Sequence, residues 1–303
     1  MSEPLLIEVV RDGTVESTHH VDVAVVDARG ELLASAGDPQ RAAAFRSSAK
    51  PLQAGVARAL GWSPADPTQL AIACASHGGE PEHIAAVSSV LASAGLDAEA
   101  LRCPSALPLH PGAATEPQPI QHNCSGKHAG MLAACVAAGL PTQTYLERDH
   151  PLQVAIADRM GSLLGAAPVS VLTDGCGAPT VVAPLARLAR AFASIRIDGE
   201  EASAMRAYPR LVGGTGRFDT DVMGLVPGLC VKGGAEALFC ATDGRTTLAL
   251  KVRDGGARAV GPAAALVLGE LGIADAEHVQ TIVPPVTGGA RPVGTLRARG
   301  SLR

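Results

Sequence analysis

Over the first forty positions apolar residues tend to alternate with polar ones, and further along they fall at helical spacing. In His20-Val21-Asp22-Val23-Ala24-Val25-Val26 the alternation is partial. Asp27-Ala28-Arg29-Gly30 then reads as a turn before Glu31-Leu32-Leu33-Ala34, and the whole predicts an antiparallel hairpin. Helical spacing predicts helices over 48–60, 81–94, 127–138, 151–164 and 180–193, with Pro81 suited to a first turn. Residues 103–121 are rich in proline and lack a period, which predicts a long ordered loop of the kind that borders a site. Gly213-Gly214-Thr215-Gly216-Arg217 reads as a flexible loop. Towards the end the pattern predicts strands over 235–240 and 246–252, a helix over 258–271, and a short strand over 279–283 stopped by Pro284. With strands at both ends and helices between, the expected fold is α+β: one domain over 1–303, its terminal strands sharing an antiparallel sheet with helices packed on its faces.

Composition narrows the function classes. Of 303 residues 47% are apolar, enough for a sizeable core, but only 2% are aromatic. Ala, Val, Leu and Ile must therefore build that core, and aromatic stacking on bases or sugars is disfavoured. The net charge of −4, with no long run of one sign, argues against nucleic acid or an anionic membrane as partner. The opening residues lack a basic n-region, and no apolar run reaches the ~20 residues of a membrane helix, so a cytoplasmic location is expected. The seven cysteines are odd in number and widely spread, which does not suit a disulfide framework. Cys135, Cys230 and Cys240 lie in apolar runs and read as buried residues, whereas Cys124 and Cys176 stand in polar, glycine-containing loops.

Five blocks are candidates for chemistry. Arg46-Ser47-Ser48-Ala49-Lys50 places a serine three residues before a lysine, a candidate nucleophile and base on one helical face; taken alone the pattern favours a capping serine beside a surface lysine. Pro51 biases Lys50 away from helix, so the pair is expected to span a helix start. Cys74-Ala75-Ser76-His77-Gly78-Gly79-Glu80-Pro81 follows a strand-like apolar run and offers a serine and backbone amides in a glycine-rich turn. A metal on His77, Glu80 and His83 is disfavoured because Pro81 interrupts their register. His122-Asn123-Cys124-Ser125-Gly126-Lys127-His128-Ala129-Gly130 opens an apolar helix, which suggests a site packed at its N-terminus, but it lacks the glycine and Ser/Thr of a phosphate loop. Thr173-Asp174-Gly175-Cys176-Gly177 ends a strand with an acid and a thiol. With Cys124 it makes zinc one possible reading, although the spacing is not a standard zinc signature. Finally, Lys251 ends the strand Leu248-Ala249-Leu250, with Lys232 before Gly233-Gly234 as a rival.

In their order along the chain these blocks resemble the bacterial L-asparaginase II family of the Rhizobium etli inducible type, over most of the sequence. The resemblance implies a fold similar to serine β-lactamases and penicillin-binding proteins. It implies hydrolysis of the side-chain amide of L-asparagine by two Ser-Lys pairs, Ser47 with Lys50 and Ser76 with Lys251. It further implies a zinc site on Cys124, Lys127 and Cys176 with Asp174 close by, and the expected form is a homodimer. In the mechanism that follows, repulsion between the two lysines leaves one neutral, and neutral Lys50 deprotonates Ser47. Ser47 then attacks the amide carbon, ammonia leaves and water releases aspartate. Arg46, Asn123, His128 and Asp174 would hold the charged ends of the amino acid. The competing readings are a penicillin-recognising acyl hydrolase, a non-catalytic amino-acid-binding protein and a zinc amidohydrolase. Against the first, the chain has no clear Ser-Asp-Asn and no Lys-Thr-Gly, Lys232-Gly233-Gly234 being the nearest.

Overall fold

A computed structural model describes residues 2–303. The chain begins with β1 (Leu5–Arg11), β2 (Thr14–Asp27), β3 (Leu32–Ala36) and β4 (Ala42–Ala44). A helical stretch follows: α1 (Lys50–Ala59), α2 (Pro67–Ala73), α3 (Pro81–Ser93), α4 (Ser125–Ala137) and α5 (Pro151–Leu164). Next come β5 (Ser170–Thr173), β6 (Pro179–Pro184), α6 (Leu185–Ala193), α7 (Glu200–Ala207), α8 (Pro209–Val212) and α9 (Phe218–Leu225). The last part holds β7 (Cys230–Gly234), β8 (Leu238–Thr242), β9 (Thr246–Val252), α10 (Val260–Glu270), α11 (Ala276–Gln280), β10 (Val286–Gly288) and β11 (Arg291–Arg299).

The main sheet runs β10-β11-β1-β2-β9-β8-β7, every pairing antiparallel. β2 is long enough to pair β1 along its first part and β3 along its second, with β9 on its other edge. The fold is therefore α+β, and the strands at the two ends of the chain meet, Leu6 opposite Arg299 and Val10 opposite Thr295. A second sheet, β4-β6-β5, stands beside it. Val21 to Val26 are all buried, as are Thr247 to Leu250, so strict alternation is lost where both faces of the sheet are covered. The helix α6 packs on β2, β8 and β9, and α10 on β1, β9 and β11. Among the other helices α4 is central, touching α1, α2, α3 and α5. It is buried from Ser125 to Cys135, which suits a helix apolar on all sides. Among the described residues no helix is long and apolar enough to cross a membrane.

Three sequence expectations are corrected. The apolar run before Cys74 is the helix α2, started by Pro67 and by Asp66, whose carboxylate accepts from the Thr68 and Gln69 amides. The stretch 180–193 divides: Thr180-Val181-Val182 extend in β6 between β4 and β5, and only from Leu185 does the chain become helical. Residues 279–283 contain the end of α11, capped by Asp275, and the strand that closes the sheet is β11, further on.

Candidate active site

A single 3-10 turn, Arg46–Ala49, leads into α1, with Lys50 and Pro51 in the helix's first turn. Ser47 therefore lies just before the helix proper. The side chain of Lys50 does not turn back to Ser47. Its ammonium donates to Ser76 Oγ at 2.9 Å, to Asn123 O at 3.4 Å and to Ala75 O, so three acceptors meet its three protons. The structure thus joins Lys50 to the second serine, which follows α2 and is fixed by its own N–H to Val212 O at 2.9 Å.

Ser47, Ser76 and Asn123 line one cavity of about 410 Å3. Lys251 is not among its lining residues. Its ammonium is held by the carbonyl oxygens of Glu236 and Val252 at the end of β9. The lysine that lines the cavity is Lys232, fully buried on β7. Its Nζ donates to Gly233 O at 2.7 Å and pairs with Asp219 Oδ2 at 3.3 Å. Burial pushes Lys232 down to about 8 against the pull of Asp219, and Lys50 and Arg217 add to the lowering. The Ser48 hydroxyl donates to Lys232 O at 2.8 Å and ties this strand to the serine turn. Two glycines make that approach possible: a Cβ on Gly233 would stand 2.8 Å from Asp219 Oδ1, and one on Gly234 would stand 3.1 Å from Ser48 Oγ. Sequence reasoning placed Lys232 second to Lys251 and missed Asp219; the glycine pair was the available signal.

Of the other predicted polar residues, Arg46 and Asp174 are engaged with each other and His128 with Tyr145. Arg46 Nε donates to Asp174 Oδ1 at 2.7 Å, and Gly175 N–H reaches the same oxygen at 2.6 Å. Tyr145 OH accepts from the Arg102 amide at 3.0 Å and is hydrogen-bonded to His128 Nδ1 at 2.6 Å. His128 Nε2 is buried without a partner among the described residues, and burial holds the ring well below the usual histidine range. His77 is likewise a structural group. Its Nδ1 accepts from Gly79 N–H, and its Nε2–H meets Ser125 Oγ at 2.9 Å, which locks the Ser76 block to the start of α4.

Cys124, Lys127 and Cys176 come together in a buried cluster beside this polar layer. Lys127 Nζ lies 3.0 Å from Cys176 Sγ. A hydrogen bond from Cys176 holds the Cys124 thiol well below its usual range despite burial, and Cys176 is correspondingly raised. Burial would lower Lys127, but the two sulfurs outweigh it and raise the amine. Two sulfurs and one nitrogen converging out of water form a donor set that suits zinc. All seven cysteines are free and buried. Glu80, Glu82 and His83 also gather closely, but both nitrogens of His83 are occupied, by Glu80 N–H and by Arg210 O, so this group caps α3.

The model of the L-asparaginase II family matches residues 7–298. The chain belongs to the L-asparaginase II family. Among curated proteins, none matches the chain significantly. The family match spans both the sheet and the helical cluster, so this L-asparaginase II chain holds Ser47, Lys50, Ser76 and Lys232 within the matched region.

Proposed function

We propose that the protein hydrolyses the side-chain amide of L-asparagine to L-aspartate and ammonia through a serine ester. Family membership supports the substrate and the amidohydrolase class. The observation that carries the mechanism is one cavity lined by two serine hydroxyls and by a buried lysine of lowered basicity, with Lys50 bonded to the second serine. Ser47 is the nucleophile. It lines the cavity, and its hydroxyl makes no hydrogen bond among the described residues, so it is free to attack. The Ser47 oxygen bonds to the amide carbon, its proton passes to a lysine of the cavity, and ammonia departs with a proton. Water then cleaves the β-aspartyl ester and regenerates the serine. Lys232 takes the part of the second lysine in place of Lys251, and Lys50 with Ser76 relays protons. Cys124, Lys127 and Cys176 would hold zinc, with Lys127 deprotonated. Such an ion would supply a fixed positive charge beside the loop that carries Asn123.

Ammonia release from asparagine, with hydroxylamine present to trap the ester as the β-hydroxamate, tests the proposal. Ser47→Ala is expected to lower turnover about 1000-fold or more and to abolish the hydroxamate. Unchanged turnover in Ser47→Ala, together with loss of activity on chelation, would instead assign the reaction to a zinc-bound water.

A further inference from the structure

Four charged side chains line the cavity: Arg217, Asp219, Lys232 and Glu236. Asp219 and Lys232 are bound to each other, and Asp219 also takes the Gly233 amide at 2.8 Å. Arg46, the other cation near the serines, is committed to Asp174. Arg217 is different: it is exposed at the cavity rim, and its guanidinium has neither an ion pair nor a hydrogen bond among the described residues. A guanidinium presents a planar fork of donors that matches a carboxylate. The rim also carries the exposed carboxylate of Glu236, so the mouth offers both signs, as a zwitterion requires.

The loop that bears Arg217 is pinned rather than free. Glu80, 7% exposed, accepts from the Thr215 amide at 3.0 Å and from the Thr215 hydroxyl at 2.5 Å. Gly214 N–H donates to Thr220 Oγ1 at 3.0 Å, and that hydroxyl donates to Pro209 O. Gly214 has φ +111°, and a Cβ there would stand 2.5 Å from Glu80 Oε2, so the loop can lie on Glu80 only with glycine at this position. The sequence reading of this segment as a flexible loop left out the clamp. Glu80 also helps to cap α3 and lies 3.7 Å from Arg210, and through Thr215 it holds the chain two residues from the unpaired arginine. This fixes the approach of the guanidinium before a ligand arrives.

We propose that Arg217 anchors the α-carboxylate of the substrate, with Glu80 acting as a positioning residue through Thr215, so that the enzyme selects free amino acids over their α-amides. This rests on the asparagine amidohydrolase reading, and it adds the group by which the substrate is chosen. The test compares kcat/KM for ammonia release from L-asparagine and from L-asparaginamide, whose α-carboxylate is masked, in the wild type and in Arg217→Gln, Arg217→Lys, Thr215→Val and Thr215→Ser. Any effect of Arg217 on the basicity of Lys232 acts on both substrates and cancels in the ratio. The wild type is expected to favour asparagine by roughly 10- to 100-fold, the worth of a charge-assisted hydrogen bond pair. Arg217→Gln should erase the preference, Arg217→Lys should keep part of it, Thr215→Val should reduce it and Thr215→Ser should restore it. A wild type indifferent to the α-amide, or a ratio unmoved in Arg217→Gln, overturns the assignment. An unmoved ratio in Thr215→Val overturns the role of Glu80. In parallel, calorimetric binding of L-aspartate against its α-amide, L-isoasparagine, reads Arg217 without turnover. If wild type releases no ammonia, the reaction reading falls, while an Arg217-dependent preference for aspartate still upholds the anchor and the lack of one removes it.

Discussion

Replacing Asp219 by Asn separates Lys232 from its counter-charge while leaving the shape of the cavity intact. The pair is 3.3 Å apart, and Asp219 is the main influence that keeps the buried lysine protonated. At that distance, with an effective dielectric of about 20, the attraction is about 5 kcal/mol, or an upper limit of about 3 to 4 pH units. Asp219 is partly exposed, so water screens about half or more of this, and a fall of about 1 to 2 units is expected. Asparagine keeps an oxygen that can accept from Gly233 N–H, so β7 stays in place. A lysine base works in its neutral form, populated above its pKa. The wild-type kcat/KM should therefore rise with pH along a limb near 8. In Asp219→Asn that limb should move to about 6 to 7, and at pH 6.5 the rate, as a fraction of its own plateau, should rise about tenfold. The assay is coupled detection of ammonia between about pH 5.5 and 9.5. A limb that stays near 8, or moves upward, would show that the titrating group is not Lys232 and would refute its place in the mechanism.

Two further outcomes can be measured directly. Asp22 is buried and accepts from Arg253 at 2.7 and 2.9 Å, from Arg41 and from the Asp38 amide; burial opposes its ionisation, but these donors together lower its pKa. Asp22→Asn should cost about 2 to 4 kcal/mol in urea unfolding at neutral pH, because it strands two guanidiniums that are about one-third exposed. The carboxylate's own contribution is present above the ordinary aspartate range and lost as pH falls through its lowered value, so the gap between wild type and variant should narrow only in strong acid. For the zinc site proposed on Cys124, Lys127 and Cys176, the protein as purified is expected to carry about one zinc per chain by elemental analysis, and Cys176→Ser to carry a small fraction of that. Equal zinc in both proteins would remove the cluster as the ligand set.

Much of the fold was legible because its signals are local. β9 and α5 lie where the apolar run and the helical period put them, and the hairpin of β2 and β3 follows its turn residues. The failures share a cause. Leu70-Ala71-Ile72-Ala73 and Val279 to Val283 are too short for period two and period 3.6 to be told apart; Asp66 caps the first as helix, and in the second the helix capped by Asp275 ends at Gln280 and the chain turns. At the site, Ser47 and Lys50 stood out by their spacing, whereas Ser76 and Asn123 entered as site residues through the family resemblance. The partner of Lys50 could not be read in this way, because a lysine side chain reaches across the space between elements and spacing along the chain says nothing about where it ends. Lys232 and Lys251 each end a strand in sequence. They differ only in which edge of the sheet faces the serine turn, and that is a property of the order β9-β8-β7.

The meeting of the first and last strands has a consequence for biosynthesis. β1 and β2 leave the ribosome early, yet β2 obtains its partner β9 only after more than two hundred further residues, and β1 waits for β11 longer still. Until then an apolar hairpin has two unsatisfied edges, open to pairing with another nascent chain. The helical segment that carries Ser47 and Ser76 is complete well before β7 delivers Lys232 to it. A ribosome-bound or truncated chain ending before residue 230 would thus hold both serines and neither the second lysine nor a closed sheet, and would depend on chaperones rather than on its own core to stay out of aggregates.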